Sequence, residues 1–184
     1  MNATHALNIA IKTLAKTGSR VVVSGYEHNS VIRPLYDIGA NVSAASGALF
    51  NPDSVLDAFE EKVPDADLVV CNHVSNVFGF VQPMYEISEI CSRCGVPLII
   101  DASQSAGIEK LDCARLNAAF IAMPGHKGLL GPQGTGILLC NALPEPLMSG
   151  GTGSESLIQN MPQYLPDRAE AGTHNVVGMA GLCE

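Results

Sequence analysis

Short, continuously apolar runs alternate along this chain with stretches whose apolar positions recur at helical spacing. Residues 20–24 (RVVVS), 40–45 (ANVSAA), 67–72 (DLVVCN), 96–101 (VPLIID), 118–123 (AAFIAM) and 136–140 (GILLC) have the length of strands. Several of them lack the polar alternation of a half-exposed sheet, which predicts burial on both faces. Between them, Leu7, Ile11 and Leu14 form a helical stripe, with Thr4 read as its cap and Gly18 as its stop. Residues 30–38 read as a short helix, and Asn51 with Pro52 has the cap and first-turn proline of another. Pro83 opens a further helix bearing Ile87, Ile90 and Cys91, which Gly95 ends. Buried strands separated by helices predict an α/β fold, a three-layer α/β/α sandwich around a mostly parallel sheet. The run at 136–140 returns after a turn too short for a helical crossover, so it is expected to pair antiparallel. Beyond it the chain is turn-rich until a helix begins at about Asn175.

With 184 residues and 47% hydrophobic content, one domain with a substantial core is the expectation. Ten Lys and Arg against 18 Asp and Glu give a net charge of −8, which argues against nucleic acid or an anionic membrane as partner. No run approaches the roughly 18 apolar residues of a membrane span. The six cysteines lie in apolar or helical contexts and no signal peptide precedes them, so a reducing cytoplasm is expected. "CSRC" at 91–94 has no second Cys pair and reads as two half-buried cysteines on one helical face.

The polar residues with chemical potential follow the strands. They are Glu27-His28-Asn29, His73-Val74-Ser75-Asn76, Ala102-Ser103-Gln104 after Asp101, and Gly125-His126-Lys127, the last opening the glycine-rich stretch "GHKGLLGPQGTG". In an open α/β sheet, ligands bind beyond the carboxyl ends of the strands, so four strand ends point to one cleft. A metal held by His28, His73, Asp101 and His126 is one reading, but it leaves Lys127 without a purpose. A pyridoxal phosphate site explains the lysine. An aldehyde cofactor needs an amine, and a partly desolvated lysine is the nucleophilic kind. Its pyridine nitrogen needs a carboxylate, for which Asp101 at the end of a buried strand is suited, and its phosphate suits the start of the first helix at Ala3-Thr4.

Six motifs in order, "NATHALN" (2–8), "YEHNS" (26–30), "HVSN" (73–76), "DASQS" (101–105), "GHKGLLGPQGTG" (125–136) and "EAGTHN" (170–175), resemble the class V aminotransferases, most closely the cysteine desulfurase and selenocysteine lyase branch. The resemblance implies the large domain of the type I pyridoxal phosphate fold. It implies Lys127 as the lysine bonded to the cofactor, Asp101 as the partner of its ring nitrogen and His28 as the imidazole stacked on the ring. Asn76 and Gln104 would bond the phenolic oxygen. Thr4, His126 and, from a second subunit, Thr173 would hold the phosphate, with His73 behind them. A cytoplasmic homodimer acting on a cysteine-like amino acid is implied, with sulfur removed to leave alanine.

Pro124 departs from the family, which commonly has Ser there, and removes a hydroxyl and an N–H donor from the phosphate cup. The family also extends beyond both ends of this sequence, so residues 1–184 are expected to be the cofactor-binding large domain without the N-terminal arm and the C-terminal small domain. That small domain supplies the family's substrate-binding arginine and its nucleophilic cysteine. Cys183 lies outside the family's cysteine loop, and Arg168 is expected to pair structurally with Asp167 or Glu170. Two alternatives stand beside an incomplete desulfurase: a class V aminotransferase or lyase acting on another amino acid, and a non-catalytic binding or assembly module.

Overall fold

A computed structural model describes residues 2–184. Six strands form one sheet: β1 (Arg20–Ser24), β2 (Asn41–Ala45), β3 (Leu68–Asn72), β4 (Leu98–Asp101), β5 (Phe120–Pro124) and β6 (Gly136–Cys140). Their order is β2-β1-β3-β4-β5-β6. The first five run parallel, and β6 lies antiparallel against β5, with Phe120 opposite Cys140 and Pro124 opposite Gly136.

Strand residues alternate strictly between two cores, because successive side chains leave opposite faces of a sheet. Val21, Val23, Leu68, Val70, Ile99, Phe120 and Ala122 pack beneath α1 (Ala3–Leu14) and α2 (Asn29–Asp37). Val22, Val69, Cys71, Leu98, Ile100, Ile121 and Met123 pack on the other side under α3 (Pro52–Lys62), α4 (Met84–Cys94) and α5 (Cys113–Leu116). Helices thus cover both faces, which is the predicted three-layer α/β/α sandwich and explains the strands' continuous hydrophobicity.

The helix ends follow local chemistry. Asn51 caps α3 by accepting from the Ser54 N–H, and Gly95 ends α4 at φ 68°, a left-handed conformation that glycine adopts without strain. Asn175 caps α6 (Val176–Cys183) in the same way as Asn51, as its position predicted. One cap differs. Asn2, not Thr4, caps α1, accepting from the His5 N–H, and this leaves the Thr4 hydroxyl free to bond Ser30 Oγ at 2.8 Å. The four-residue α5, capped by Asp112, was too short to leave a periodic signal.

Between β6 and α6 the chain has no regular element, and Arg168 ties it down. The Arg168 guanidinium donates to Pro144 O at 2.7 Å, to Pro162 O at 3.5 Å and to Glu145 Oε2 at 2.8 Å. Its role is structural as predicted, but the acidic partner is Glu145 rather than a neighbour in sequence. Cys91 is buried and Cys94 half-buried on α4, and all six cysteines are free. No helix of the described residues is long and apolar enough to cross a membrane.

Candidate functional site

The strand order reverses between β1 and β3, the topological switch point at which open α/β sheets form their crevices. At the carboxyl ends of the central strands lies a cavity of about 400 Å³, a size suited to a small cofactor. The β1–α2 loop contributes His28, the β3 end Asn72 and Asn76, the β4 end Asp101 and Gln104, and the β5 end Pro124, His126 and Lys127. Ala3 and Thr4 reach the same cavity from the first turn of α1. Of the residues expected to contact the cofactor, Thr173 stands outside: it is exposed and does not line the cavity.

Asp101 is 4% exposed, and its Oδ1 accepts from the Ser103 N–H at 2.9 Å. That bond makes a turn rather than a helix cap, and Oδ2 keeps no hydrogen-bond partner among the described residues. His28 caps α2. Its Nδ1 accepts from the Ser30 N–H at 3.1 Å, so a neutral ring carries its proton on Nε2. Ser30 Oγ then lies 2.9 Å from that Nδ1 and 2.8 Å from Thr4 Oγ1, linking the ring to the start of α1.

The glycine-rich turn has a packing reason. Gly128 crosses the backbone of Ala106 and Gly107 so closely that a Cβ at either glycine would overlap the other segment, and Gly107 also holds φ +79°. This crossing sets the loop after Asp101 against the turn that bears Lys127. Lys127 itself is exposed, so the partial desolvation expected of it is not seen, and its ε-amine makes no hydrogen bond among the described residues.

The donor set fits pyridoxal phosphate. An amine and a carboxylate oxygen, neither with a partner among the described residues, face one cavity together with the His28 and His126 imidazoles and the Asn76 and Gln104 amides. The first N–H groups of a twelve-residue helix, Ala3 and Thr4, have no intrahelical acceptor and supply an anion site beside hydroxyls. Pro124 does line this cavity, so the missing hydroxyl and N–H are missing at the site itself. The metal reading finds no geometry: among the described residues, no three His, Cys, Asp or Glu side chains gather to hold an ion.

Three polar residues of this region were assigned no role from the sequence. Asn72 lies in the cavity floor, its side chain donating to Tyr26 O at 2.6 Å and accepting from Gln82. Glu27, inside a motif but given no role, has a buried carboxyl. The signal for Asn72 was a polar residue ending a fully buried strand. Gln82 and Glu27 are brought in only by tertiary packing. His73, expected behind the site, is buried with Nδ1 unpartnered, and loss of solvation lowers its pKa, with Glu109 acting the other way.

Comparison with known proteins identifies the family and supports the fold. The family model for class-V aminotransferases matches residues 1–184. A probable cysteine desulfurase of Methanothermobacter thermautotrophicus is 37% identical over 194 residues, covering 98% of this chain and 48% of the relative. One of Pyrococcus abyssi is 33% identical with the same coverage. The solved apo structure of a cysteine desulfurase from Thermococcus onnurineus superposes with a TM-score of 0.84 at 32% identity, over 98% of this chain and 48% of that one. The chain therefore spans about half the length of the curated relatives it matches. With its whole length matched and its sheet superposed, the chain belongs to the class-V aminotransferase family.

Proposed function

We propose that this chain is the cofactor-holding large domain of a cysteine desulfurase-like enzyme that uses pyridoxal phosphate. The observation that carries the reading is the convergence of Lys127, Asp101 and His28 on one cavity from three different strand ends. When bound, pyridoxal phosphate supplies an electrophilic aldehyde and a ring that accepts electron density from an attached amino acid. Lys127 would supply the amine that holds the aldehyde and a base to move a proton. Asp101 would keep a proton on the ring nitrogen through the oxygen that Ser103 does not occupy. His28, held by Ser30, would cover a ring face, while Asn76 and Gln104 would offer hydrogen bonds to the phenolic oxygen. Ala3, Thr4 and His126 would receive the phosphate at the start of α1, and Thr173 would complete the cup from the second copy of a homodimer. Its exposure away from the chain's own cavity supports that assignment.

Removing sulfur from cysteine further requires a thiolate at the substrate sulfur and a cation at its carboxylate. Among the described residues no cysteine and no arginine lines the cavity. Burial raises the Cys71 thiol well above its ordinary range and pushes Cys91 up to about 12, which removes both as nucleophiles. The same observation favours the second reading, a domain that holds the cofactor without turning over substrate. Titrating the chain with pyridoxal phosphate tests the proposal. A saturable visible band distinct from the free aldehyde, with a dimeric mass in sedimentation, is expected. Absence of any band would refute it, and a strictly monomeric mass would refute the role of Thr173.

A further inference from the structure

Behind the cavity floor lies a second carboxyl that the site described above does not use. Glu27 immediately precedes His28, yet its side chain turns inward, where Oε1 accepts from Ser24 Oγ at 2.5 Å and from the Asn72 N–H at 2.8 Å. Oε2 is closed to solvent and has no partner among the described residues. The same cluster holds the Tyr26 N–H on Ser24 Oγ at 3.2 Å and the Asn72 amide on Tyr26 O at 2.6 Å. One buried polar group thus joins the end of β1, the end of β3 and the loop that presents His28.

The surroundings decide its charge. Asn72, whose N–H Glu27 binds, stands opposite Asp101 in the register of β3 and β4. Asp101 from β4 and Cys71 from β3 are the titratable groups that face Glu27, and no Lys, Arg or His forms an ion pair with it among the described residues. A buried carboxylate with one unpaired oxygen beside a second carboxylate is strongly disfavoured. A neutral acid keeps both bonds accepted by Oε1 and leaves only a hydroxyl unmet, a smaller cost.

We propose that Glu27 is a positioning residue of the pocket, a neutral acid that latches the His28 loop to the end of β3 and leaves Asp101 the single negative charge on the cavity floor. This rests on the pyridoxal reading, since one positive ring nitrogen calls for one carboxylate. Burial pushes the Glu27 pKa up from 4.5 to about 8, with Asp101 adding to the rise and the bonds from Ser24 and Asn72 opposing it. The folded chain then keeps a proton that the unfolded chain releases above about 4.5. The stability this group contributes is complete below that pH, declines as pH rises toward about 8 and is level beyond.

The test compares urea unfolding of the chain without cofactor from pH 5 to pH 9, for the native sequence and for Glu27→Gln. The native chain should lose stability relative to Glu27→Gln as pH rises to about 8 and then run parallel to it. Parallel profiles throughout would overturn the proposal. Pyridoxal phosphate affinity, followed by the visible band at pH 7, should stay within about threefold in Glu27→Gln and weaken by about tenfold or more in Glu27→Leu, which offers Ser24 and Asn72 no acceptor. Equal losses in both variants would show that charge, not the latch, matters, and would also overturn it. If Glu27→Leu does not fold, the pH profiles decide alone. A chain that shows the Glu27 profile yet takes up no cofactor refutes the pyridoxal reading and supports the latch; a chain that binds cofactor with parallel profiles does the reverse.

Discussion

Asn72 and Asp101 stand side by side as the last residues of two parallel strands, each buried and each turned into the same cavity floor. A strand that is apolar throughout and ends on a polar group delivers that group to the sheet edge, and adjacent strands in register deliver two. The floor of the site is therefore a consequence of strand registry, and the loops bring the remaining groups to it.

Lys127 should be the lysine that reacts with the cofactor aldehyde. Lys12 is paired with Asp37 at 3.0 Å and Lys16 is bonded to Lys12 O at 2.7 Å, whereas Lys127 faces the cavity without a partner among the described residues. Reduction with borohydride followed by peptide mapping should label Lys127, and Lys127→Ala should lose the label. Label spread over Lys12, Lys16 and Lys110 would mean reaction with surface amines alone.

Asp101→Asn should leave the fold intact, because the amide oxygen can still accept from the Ser103 N–H, while the charge opposite the ring nitrogen is lost. A charge-assisted hydrogen bond contributes about 1.5–3 kcal/mol, so the dissociation constant of pyridoxal phosphate should rise about 10- to 100-fold. Absorbance titration measures it, with circular dichroism as the control for folding. Unchanged affinity would remove Asp101 from the site.

Cysteine turnover by this chain alone should be negligible even when the cofactor binds. Exposed Cys183 lies on α6, and no thiol or guanidinium of the described residues lines the cavity. Loss of positioning by itself forfeits several kcal/mol of barrier lowering. Sulfide and alanine released in proportion to protein, and abolished by Lys127→Ala, would contradict this.

Arg168→Ala should loosen the segment between β6 and α6 without touching the pocket. The substitution removes donors to two carbonyls and to Glu145, and a loss of about 2–3 kcal/mol is expected in urea unfolding, with faster proteolysis within residues 141–170. Glu145→Gln should cost about 1 kcal/mol or less, because that carboxylate is largely exposed. Equal effects of the two variants would show that the ion pair, not the carbonyl bonds, holds the segment.

The apolar runs and caps made the strands, the parallel sheet and the antiparallel last strand legible in the sequence, because burial on both faces and helix ends are local, periodic properties. Motif order was enough to name Lys127, Asp101, His28 and their neighbours, each a polar residue at a strand's carboxyl end. Tertiary structure alone decided what crosses between segments. Arg168 reaches back to Glu145, Gln82 bonds Asn72, and the Glu27 carboxyl turns inward to the Asn72 N–H. Nothing in the one-dimensional pattern distinguishes a buried Glu27 from a solvated one, since the difference lies in which backbone N–H and hydroxyl the folded sheet sets around it. Local pattern set the layers and put polar chemistry at the strand ends; the packing of β1 against β3 set which acidic group is desolvated, because desolvation and neighbouring charge exist only once the chain is folded.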